Sequence, residues 1–291
     1  MRGLIDTEVK ALLKKYSIIP SKKRGQSFLT NNQIARKIID RAELKPADSV
    51  LEIGGGLGIL SELLAANAKH LFIIEIDAGL VGALRDLLQE FENVTIIQGD
   101  ALVETLPKVN KIVSNLPYSI SSEVTFRLLK ELNFDQAILM FQKEYAKRLV
   151  AGPCTPEYSR LTIGVSYLSE IELLFDVGAR NFYPIPAVDS SVVRLRPRKT
   201  GLFAKDTDLF FTMIRGIYSY PNKQLRKALR IWFKQTDNGK ELVDSLLTRV
   251  SDKVSENERL RCLNLDVLIH ISDELSKMIG EGEISIPRHS N

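Results

Sequence analysis

The feature of this chain best suited to do chemistry is an asparagine that is followed three residues later by a tyrosine, with a proline between them. The motif Asn115-Leu116-Pro117-Tyr118 comes directly after the short apolar run Ile112-Val113-Ser114. The amide oxygen of Asn115 can accept hydrogens from the exocyclic amine of a flat base. Pro117 fixes a rigid turn, and Tyr118 offers a face on which the base can stack. The motif predicts chemistry on the amine of adenine, and an ordinary turn followed by a core tyrosine is the alternative.

The amine of adenine is a poor nucleophile because its lone pair is delocalised into the ring. A side-chain carbonyl and a nearby backbone carbonyl that accept the amine hydrogens would direct the lone pair toward an electrophile. They would also stabilise the charge that develops on nitrogen. Because the amine proton can leave to water after the transfer, we expect neither a general base nor a catalytic histidine.

A glycine-rich loop after an earlier apolar run is typical of a ligand-binding turn. Glu52 precedes it, and Gly54, Gly56 and Gly58 let the backbone approach a ligand at the start of the next helix. A dinucleotide fingerprint would place a glycine at position 59, where this chain has Ile59. The loop therefore disfavours a pyrophosphate ligand, and a tight strand-to-helix connection without a ligand is the simpler alternative.

Acidic residues at the ends of two later strands complete a candidate nucleoside site. Glu75 ends the next predicted strand, about twenty residues after the loop, where an acidic side chain meets ribose hydroxyls. Asp77 is the alternative for that role. Asp100, followed by Ala101, can accept a hydrogen bond from an adenine amine or simply cap the next helix. A nucleoside without a pyrophosphate fits these features, so we expect S-adenosylmethionine as the cofactor.

The elements that must position these residues alternate between strand and helix, and such alternation predicts a parallel, doubly wound α/β sheet. Apolar runs with strand character lie at 49–53, 71–76, 94–98, 111–114 and 137–142, with two further strands at 171–177 and 189–196. Helical patterns lie at 4–17, 31–42, 59–67, 78–90 and 121–131.

We expect three segments along the chain. Residues 1–30 form a helix and a loop that covers the cofactor, 31–200 form the cofactor-binding domain, and 201–291 form a helical domain.

Composition indicates a globular protein with an apolar core. The 291 residues are 44% hydrophobic and 26% charged, with a net charge of +4. No run is long enough to cross a bilayer and the start of the chain does not read as a signal peptide, so we expect a cytoplasmic protein. Cys154 and Cys262 are far apart in sequence and the three histidines are scattered, so neither a disulfide nor a metal site is expected.

Clusters of basic residues predict contact with a polyanion, although a solvated surface is the simpler interpretation of each cluster alone. The candidates are Lys22, Lys23 and Arg24 in one loop, and Lys223, Arg226, Lys227 and Arg230 at helical spacing.

The order of these motifs resembles that of the ribosomal RNA adenine dimethyltransferases, and within them the small-subunit, kasugamycin-resistance type. The resemblance covers residues 20 to 198 and extends weakly into the helical tail. It rests on 25–29 (Gly-Gln-Ser-Phe-Leu), 52–58, Glu75, 99–101, 115–118, 142–144 (Gln-Lys-Glu), 158–161 (Tyr-Ser-Arg-Leu) and 182–190 (Phe-Tyr-Pro-Ile-Pro-Ala-Val-Asp-Ser).

The resemblance implies a seven-stranded Rossmann-like class I methyltransferase sheet with a smaller all-helical C-terminal domain. It implies transfer of methyl groups from S-adenosylmethionine to two adjacent adenosines near the 3′ end of small-subunit rRNA. The resemblance also implies that the enzyme is a monomer and acts on a pre-assembled subunit during ribosome biogenesis. The target adenine would lie against Asn115, Leu116, Pro117, Tyr118 and Phe182, with Tyr118 and Phe182 sandwiching the base. The cofactor would lie against Gln26, Ser27, Leu29, Glu52, Gly54, Gly56, Glu75, Ile76, Asp100, Ala101 and Asn115.

The sequence departs from the family pattern at three positions. Ser27 and Ser119 stand where asparagine is usual, and Gly55 replaces a common proline. Three other functions remain open: a related large-subunit rRNA methyltransferase, a DNA adenine methyltransferase, or a ribosome assembly factor without catalytic activity. The intact motif at Asn115, Pro117 and Tyr118 argues against the last of these.

Overall fold

The computed structural model describes residues 6–21, 25–236 and 238–282, and their contacts separate the chain into two units. The first unit comprises residues 1–147 and 168–197, and the second comprises 148–167 and 198–291. The strands are β1 (Phe28–Leu29), β2 (Ser49–Ile53), β3 (His70–Glu75), β4 (Val94–Gln98), β5 (Lys111–Asn115), β6 (Gln136–Gln142), β7 (Ser169–Val177), β8 (Phe182–Tyr183) and β9 (Ser190–Pro197). The helices are α1 (Asp6–Lys15), α2 (Asn32–Ala42), α3 (Ile59–Asn67), α4 (Ala78–Leu87), α5 (Ser121–Glu131), α6 (Lys143–Leu149), α7 (Arg160–Leu168), α8 (Thr207–Ile217), α9 (Leu225–Trp232), α10 (Gly239–Arg249) and α11 (Leu265–Gly280).

A seven-stranded sheet in the order β4-β3-β2-β5-β6-β9-β7 forms the centre of the first unit. The five strands from β4 to β6 are parallel, which confirms the doubly wound pattern predicted from the sequence. The last two strands are not parallel, because β9 pairs antiparallel with both β6 and β7. The sequence did not predict this reversal, since the apolar runs of β7 and β9 do not reveal the direction in which they pair.

The strand order reverses between β2 and β5. The helix that follows β2 and the helix that follows β5 therefore lie on opposite sides of a crevice. Their ladder is short, joining only Val50 to Lys111 and Leu51 to Ile112. Beyond it the Ser114 hydroxyl donates to the Ile53 carbonyl over 2.5 Å. The strands thus stay joined by a side chain while their carboxyl ends separate, and a ligand-binding crevice opens at this edge of the sheet.

The helices of the first unit cover a core that the sequence pattern defines well. In α2, for example, Asn31 caps the helix by accepting from two backbone amides, and Ala35, Ile38 and Ala42 turn toward the core. The N-terminal helix α1 packs with Val9 and Leu13 in a smaller cluster.

The second unit is helical, and it includes a segment that the sequence analysis placed in the cofactor-binding domain. Residues 148–167 group with 198–291, although they lie between strands of the first unit in sequence. The buried hydroxyl of Tyr158 donates to the Leu263 carbonyl over 2.9 Å within this unit. A linear division at residue 200 could not separate an insertion of this kind.

A disulfide joins Cys154 to Cys262 in the second unit, and the prediction that the cysteines are unpaired is therefore wrong. Their Cα atoms lie 4.2 Å apart, and the Cys154 amide donates to the Arg261 carbonyl over 2.8 Å. The two residues are 108 positions apart in sequence, so their proximity depends on the tertiary fold alone.

Within the described ranges, no helix combines the length and apolar character that crossing a membrane would require. The same residues contain no cluster of three or more His, Cys, Asp or Glu side chains that could hold a metal ion.

Candidate functional site

A cavity at the carboxyl ends of β2, β3, β4 and β5 collects the residues predicted to bind the cofactor and, except for Phe182, those predicted to bind the base. All the predicted cofactor residues line this cavity: Gln26, Ser27, Leu29, Glu52, Gly54, Gly56, Glu75, Ile76, Asp100, Ala101 and Asn115. Leu116, Pro117 and Tyr118 line it as well. The cofactor side and the base side of the predicted reaction therefore share one cavity.

The glycine-rich loop has a backbone that residues with side chains rarely adopt. Gly54 and Gly56 have φ values of 76° and 55°. A Cβ on Gly54 would lie 3.3 Å from the ring of Pro117, and one on Gly56 would lie 3.1 Å from Phe28. The absence of side chains thus serves both the turn and the close approach of the loop to its neighbours.

Glu75 organises that loop from the end of the adjacent strand. One carboxylate oxygen accepts from the Gly56 amide over 3.2 Å and the other from the Asp77 amide over 3.0 Å. Burial raises the pKa of Glu75, and the two amide hydrogen bonds oppose this shift. Asp77 instead caps α4, accepting from Gly79 and Leu80, and does not line the cavity. The geometry therefore favours Glu75 over Asp77 as the ribose ligand.

Asp100 caps the following turn and also lines the cavity. Its Oδ1 atom accepts from the Leu102 amide over 2.9 Å, which stabilises the following turn. The residue also lines the cavity, next to Ala101. The capping bond thus fixes a carboxylate that lines the cavity.

Glu52 is a second buried carboxyl at the cavity wall, and it is 1% exposed. The Ser61 hydroxyl donates to it over 2.6 Å. Burial is the main cause that raises the pKa of Glu52 from its ordinary value of 4.5 to about 8. Below that pH the side chain is mainly protonated, so it presents a neutral carboxylic acid to the cavity.

This raised pKa predicts a specific pH dependence of stability. Between the unfolded pKa of 4.5 and the folded pKa of about 8, the folded state binds more protons at Glu52 than the unfolded state. Stability should therefore fall as pH rises, at up to about 1.4 kcal/mol per pH unit from this group. Melting temperatures measured at pH 5.5 and 7.5 test this expectation. The Glu52→Gln variant should lack the part of the fall in stability that is due to Glu52. The Glu123→Gln variant, changed at an exposed position of α5, should retain it. An unchanged pH dependence in Glu52→Gln would contradict the assignment.

Asn115 is the last residue of β5. Its amide is oriented by residues 25–29, which we call the covering loop. Its Nδ2 atom donates to the Ser27 carbonyl over 3.3 Å. Its Oδ1 atom is buried and has no hydrogen-bond partner among the described residues. A buried acceptor without a donor costs free energy, and an amine hydrogen of a base placed here would satisfy it.

Tyr118 stands on the other side of Pro117, where a short 3-10 helix begins. Its hydroxyl is 2.6 Å from the Ser190 hydroxyl, and burial raises its pKa. A Cβ on Gly25, whose φ is 62°, would lie 3.2 Å from the Tyr118 amide nitrogen. The covering loop therefore approaches the base-binding motif closely, at a position where a glycine is needed.

Phe182, predicted to sandwich the base with Tyr118, does not line the cavity. Its side chain is 2% exposed and belongs to the main core, together with Leu29 and Val192. Leu29 and Phe182 are paired in the β1–β8 ladder. Side chains alternate across a strand, so Tyr183 lies on the other face, against the smaller cluster around α1.

Ser27, where the family usually has asparagine, contacts the proline-containing segment. Its hydroxyl donates to the Pro184 carbonyl over 2.6 Å, while its own carbonyl accepts from Asn115. A single residue of the covering loop thus joins two predicted base-binding segments.

Sequence reasoning missed the apolar wall of the cavity. The alternation of strands and helices predicts that apolar residues of this kind belong to the core. Only the folded structure shows that some of them also face the cavity. The wall includes Phe28, Leu57, Ile59, Leu60, Ile74 and Leu80.

The predicted RNA-binding residues have different surroundings. Lys22, Lys23 and Arg24 lie outside the described residues. Lys223 precedes α9, where its Nζ lies 5.6 Å from the centroid of the Tyr220 ring, and Lys227 is exposed. Arg226 pairs with Glu256 and Asp244, and Arg230 pairs with Asp244 over 3.2 Å. The charge of the two arginines is therefore largely balanced within the second unit.

Comparison with known proteins gives a consistent result. The family model "Ribosomal RNA adenine dimethylase" matches residues 20–259. A relative from Methanosarcina barkeri, "Probable ribosomal RNA small subunit methyltransferase A", is 41% identical over 254 residues, covering 86% of this chain and 87% of the relative. A protein of the same name from Methanococcus maripaludis is 37% identical over 88% of this chain and 97% of its own length.

Solved structures show the same similarity in three dimensions. A dimethyladenosine transferase from Plasmodium falciparum is 29% identical, with a TM-score of 0.76, covering 88% of this chain and 98% of that one. The 23S rRNA methyltransferase ErmE is 26% identical, with a TM-score of 0.65, covering 86% of this chain and 99% of that one.

Proposed function

Because this chain belongs to the ribosomal RNA adenine dimethylase family, we propose that its cavity holds S-adenosylmethionine with Asn115 presenting the amine of an adenosine beside it. The protein is an S-adenosylmethionine-dependent methyltransferase that dimethylates adenine in small-subunit ribosomal RNA. The observation that carries the proposed arrangement is the buried Oδ1 atom of Asn115, which lacks a hydrogen-bond donor among the described residues.

The residues of the cavity fit the cofactor. Glu75 would provide a buried carboxylate for the ribose hydroxyls, and Asp100 would provide a half-buried one for the adenine amine. Gly54 and Gly56 line the cavity without side chains, so the amino-acid part of the cofactor can approach their backbone. S-adenosylmethionine supplies an electrophilic methyl group on a positively charged sulfur.

The chain then has to orient the attacking nitrogen. Asn115 Oδ1 accepts one amine hydrogen and a backbone carbonyl nearby accepts the other, which directs the lone pair toward the methyl group and stabilises the charge on nitrogen. Tyr118 stacks on the base, and its bond to Ser190 fixes the ring. The proton leaves to water after transfer, so no side chain is required as a general base.

The details of the substrate rest on the relatives' names and on the family resemblance. We propose that the targets are two adjacent adenosines near the 3′ end, modified by a monomer in the cytoplasm on a pre-assembled subunit. A large-subunit target is less well supported, because ErmE is 26% identical whereas the relative named for the small subunit is 41% identical.

A direct assay tests this function. Purified protein, unmethylated small subunits and S-adenosylmethionine with a labelled methyl group are incubated, and the RNA is digested to nucleosides for mass spectrometry. The expected product is labelled dimethyladenosine from small-subunit rRNA. Label in large-subunit rRNA alone, or in another nucleoside, would contradict the proposal.

We further propose that exposed basic residues of the second unit bind RNA phosphates, with Lys223 and Lys227 contributing most. Arg226 and Arg230 already have acidic partners, so their replacement should change RNA binding less. Removing both lysines should weaken subunit binding and lower the salt slope by about one unit per residue, because fewer counterions are released. Cofactor affinity should be unchanged.

The matched control for this prediction is a double variant with the same loss of charge at Lys240 and Lys253, which are also exposed in the second unit. Filter binding to small subunits across a range of salt concentrations gives both slopes. If the Lys223→Ala, Lys227→Ala protein keeps the wild-type slope, these lysines are only part of a solvated surface.

A further inference from the structure

Arg127, in α5, holds a loop that carries three cavity residues, Gly99, Asp100 and Ala101. Its Nη1 atom donates to the Ala101 carbonyl over 2.5 Å, and its Nη2 atom donates to the Glu104 carbonyl over 2.8 Å. The Nε atom pairs with Glu131 over 3.0 Å, one turn along the same helix. The side chain is only 15% exposed, so these bonds are shielded from water.

The loop that Arg127 holds, residues 99–104, is joined to β3 at its start, where the Gly99 amide donates to the Glu75 carbonyl over 3.0 Å. Ala101 is buried, but Val103 is 76% exposed, so apolar packing contributes little. Within the loop, Asp100 accepts from the amides of Leu102 and of the two residues after it. These bonds shape the turn without joining it to the rest of the unit. The guanidinium supplies two charge-assisted hydrogen bonds from outside the loop, and such bonds are stronger than neutral ones.

Helix α5 is also the continuation of the base-binding motif. The chain runs from Asn115 through Tyr118 into a 3-10 turn at 118–120, and α5 begins at Ser121. Arg127 therefore connects the helix that follows the base-binding motif to the loop that carries Asp100. It reaches the cavity through the loop and is absent from the cavity lining.

We infer that Arg127 is a positioning residue for the adenine end of the cofactor, acting by fixing the main chain that carries Asp100 and Ala101. The inference rests on the proposed cofactor site. Without the guanidinium, the Ala101 and Glu104 carbonyls lose their donor and the loop gains conformations in which Asp100 no longer faces the ligand. Binding then has to select the competent conformation, which weakens apparent affinity.

The test is Arg127→Gln, with S-adenosylhomocysteine as the ligand in calorimetry and methylation of small subunits as the kinetic assay. We expect the dissociation constant, and KM for S-adenosylmethionine, to rise roughly tenfold, which corresponds to about 1.4 kcal/mol. At saturating cofactor, kcat should stay close to the wild-type value, because Asn115 and Tyr118 are untouched. Arg127→Lys, which keeps the charge but not the fork of two donors, should bind with intermediate affinity.

Two controls separate positioning from general destabilisation. Glu131→Gln removes the ion pair but leaves both bonds to the loop, so its affinity should be near wild type. Arg194→Gln removes an arginine of similar burial that pairs with Glu172 and Glu43 and is absent from the cavity lining, so it too should bind normally.

Wild-type affinity in Arg127→Gln would overturn the inference, as would an equal loss in Arg194→Gln. Failure of the wild-type protein to bind S-adenosylhomocysteine would instead contradict the cofactor site itself, so the two failures are distinguishable.

Discussion

Asn115→Ala is expected to lose about 10²- to 10³-fold in turnover while retaining cofactor binding. Its Oδ1 atom is the buried acceptor without a partner, and its function is to orient the amine in the transition state. Loss of one preorganised polar group of this kind costs about that factor in comparable sites. Single-turnover methylation of small subunits measures the effect, and calorimetry with S-adenosylhomocysteine measures affinity.

The same strand provides the control. Asn110, next to the start of β5, accepts from the Ser49 amide over 2.8 Å and donates to Asp48 over 2.6 Å, far along the strand from the cavity. Asn110→Ala removes a structural amide of similar kind, so turnover per folded molecule should be retained. If Asn115→Ala methylates at the wild-type rate, the amide does not position the nucleophile.

Glu75→Ala is expected to weaken cofactor binding by about 1.5 to 3 kcal/mol, the range for a hydrogen bond to a charged group. The structure adds a second reason, since the same carboxylate holds the amides of Gly56 and Asp77. Glu75→Gln keeps one acceptor oxygen and should show a smaller loss. Calorimetry with S-adenosylhomocysteine gives both values.

Asp48 offers a matched buried carboxyl at the opposite end of the sheet, 4% exposed and bonded to the Lys45 amide. Asp48→Asn should bind the cofactor normally once corrected for the folded fraction. Undiminished binding in Glu75→Ala would show that the ribose is held elsewhere.

Much of the site could be predicted because its signals are local. Glu75, Asp100 and Asn115 each end a strand or follow one directly, and the carboxyl ends of parallel strands meet at one edge of the sheet. The predicted strands lie within two residues of the observed ones. Periodicity identifies such elements because burial on one side imposes it.

The features that the sequence did not predict depend on contacts between distant positions. The Cys154–Cys262 bond joins residues 108 positions apart. Phe182 belongs to a motif, but the pairing of β1 with β8 directs its side chain into the core. Arg127 belongs to none of the motifs, and its two carbonyl partners precede it by more than twenty residues. Such contacts leave no periodic pattern along the chain.

The contact between Gly54 and Pro117 limits how this protein can evolve. A Cβ at position 54 would meet the Pro117 ring at 3.3 Å, and the positive φ adds strain for any other residue. The loop for one substrate and the motif for the other thus lie so close that any side chain at position 54 would touch Pro117. A residue other than glycine at position 54 therefore requires a change at Pro117 in addition to tolerating the positive φ.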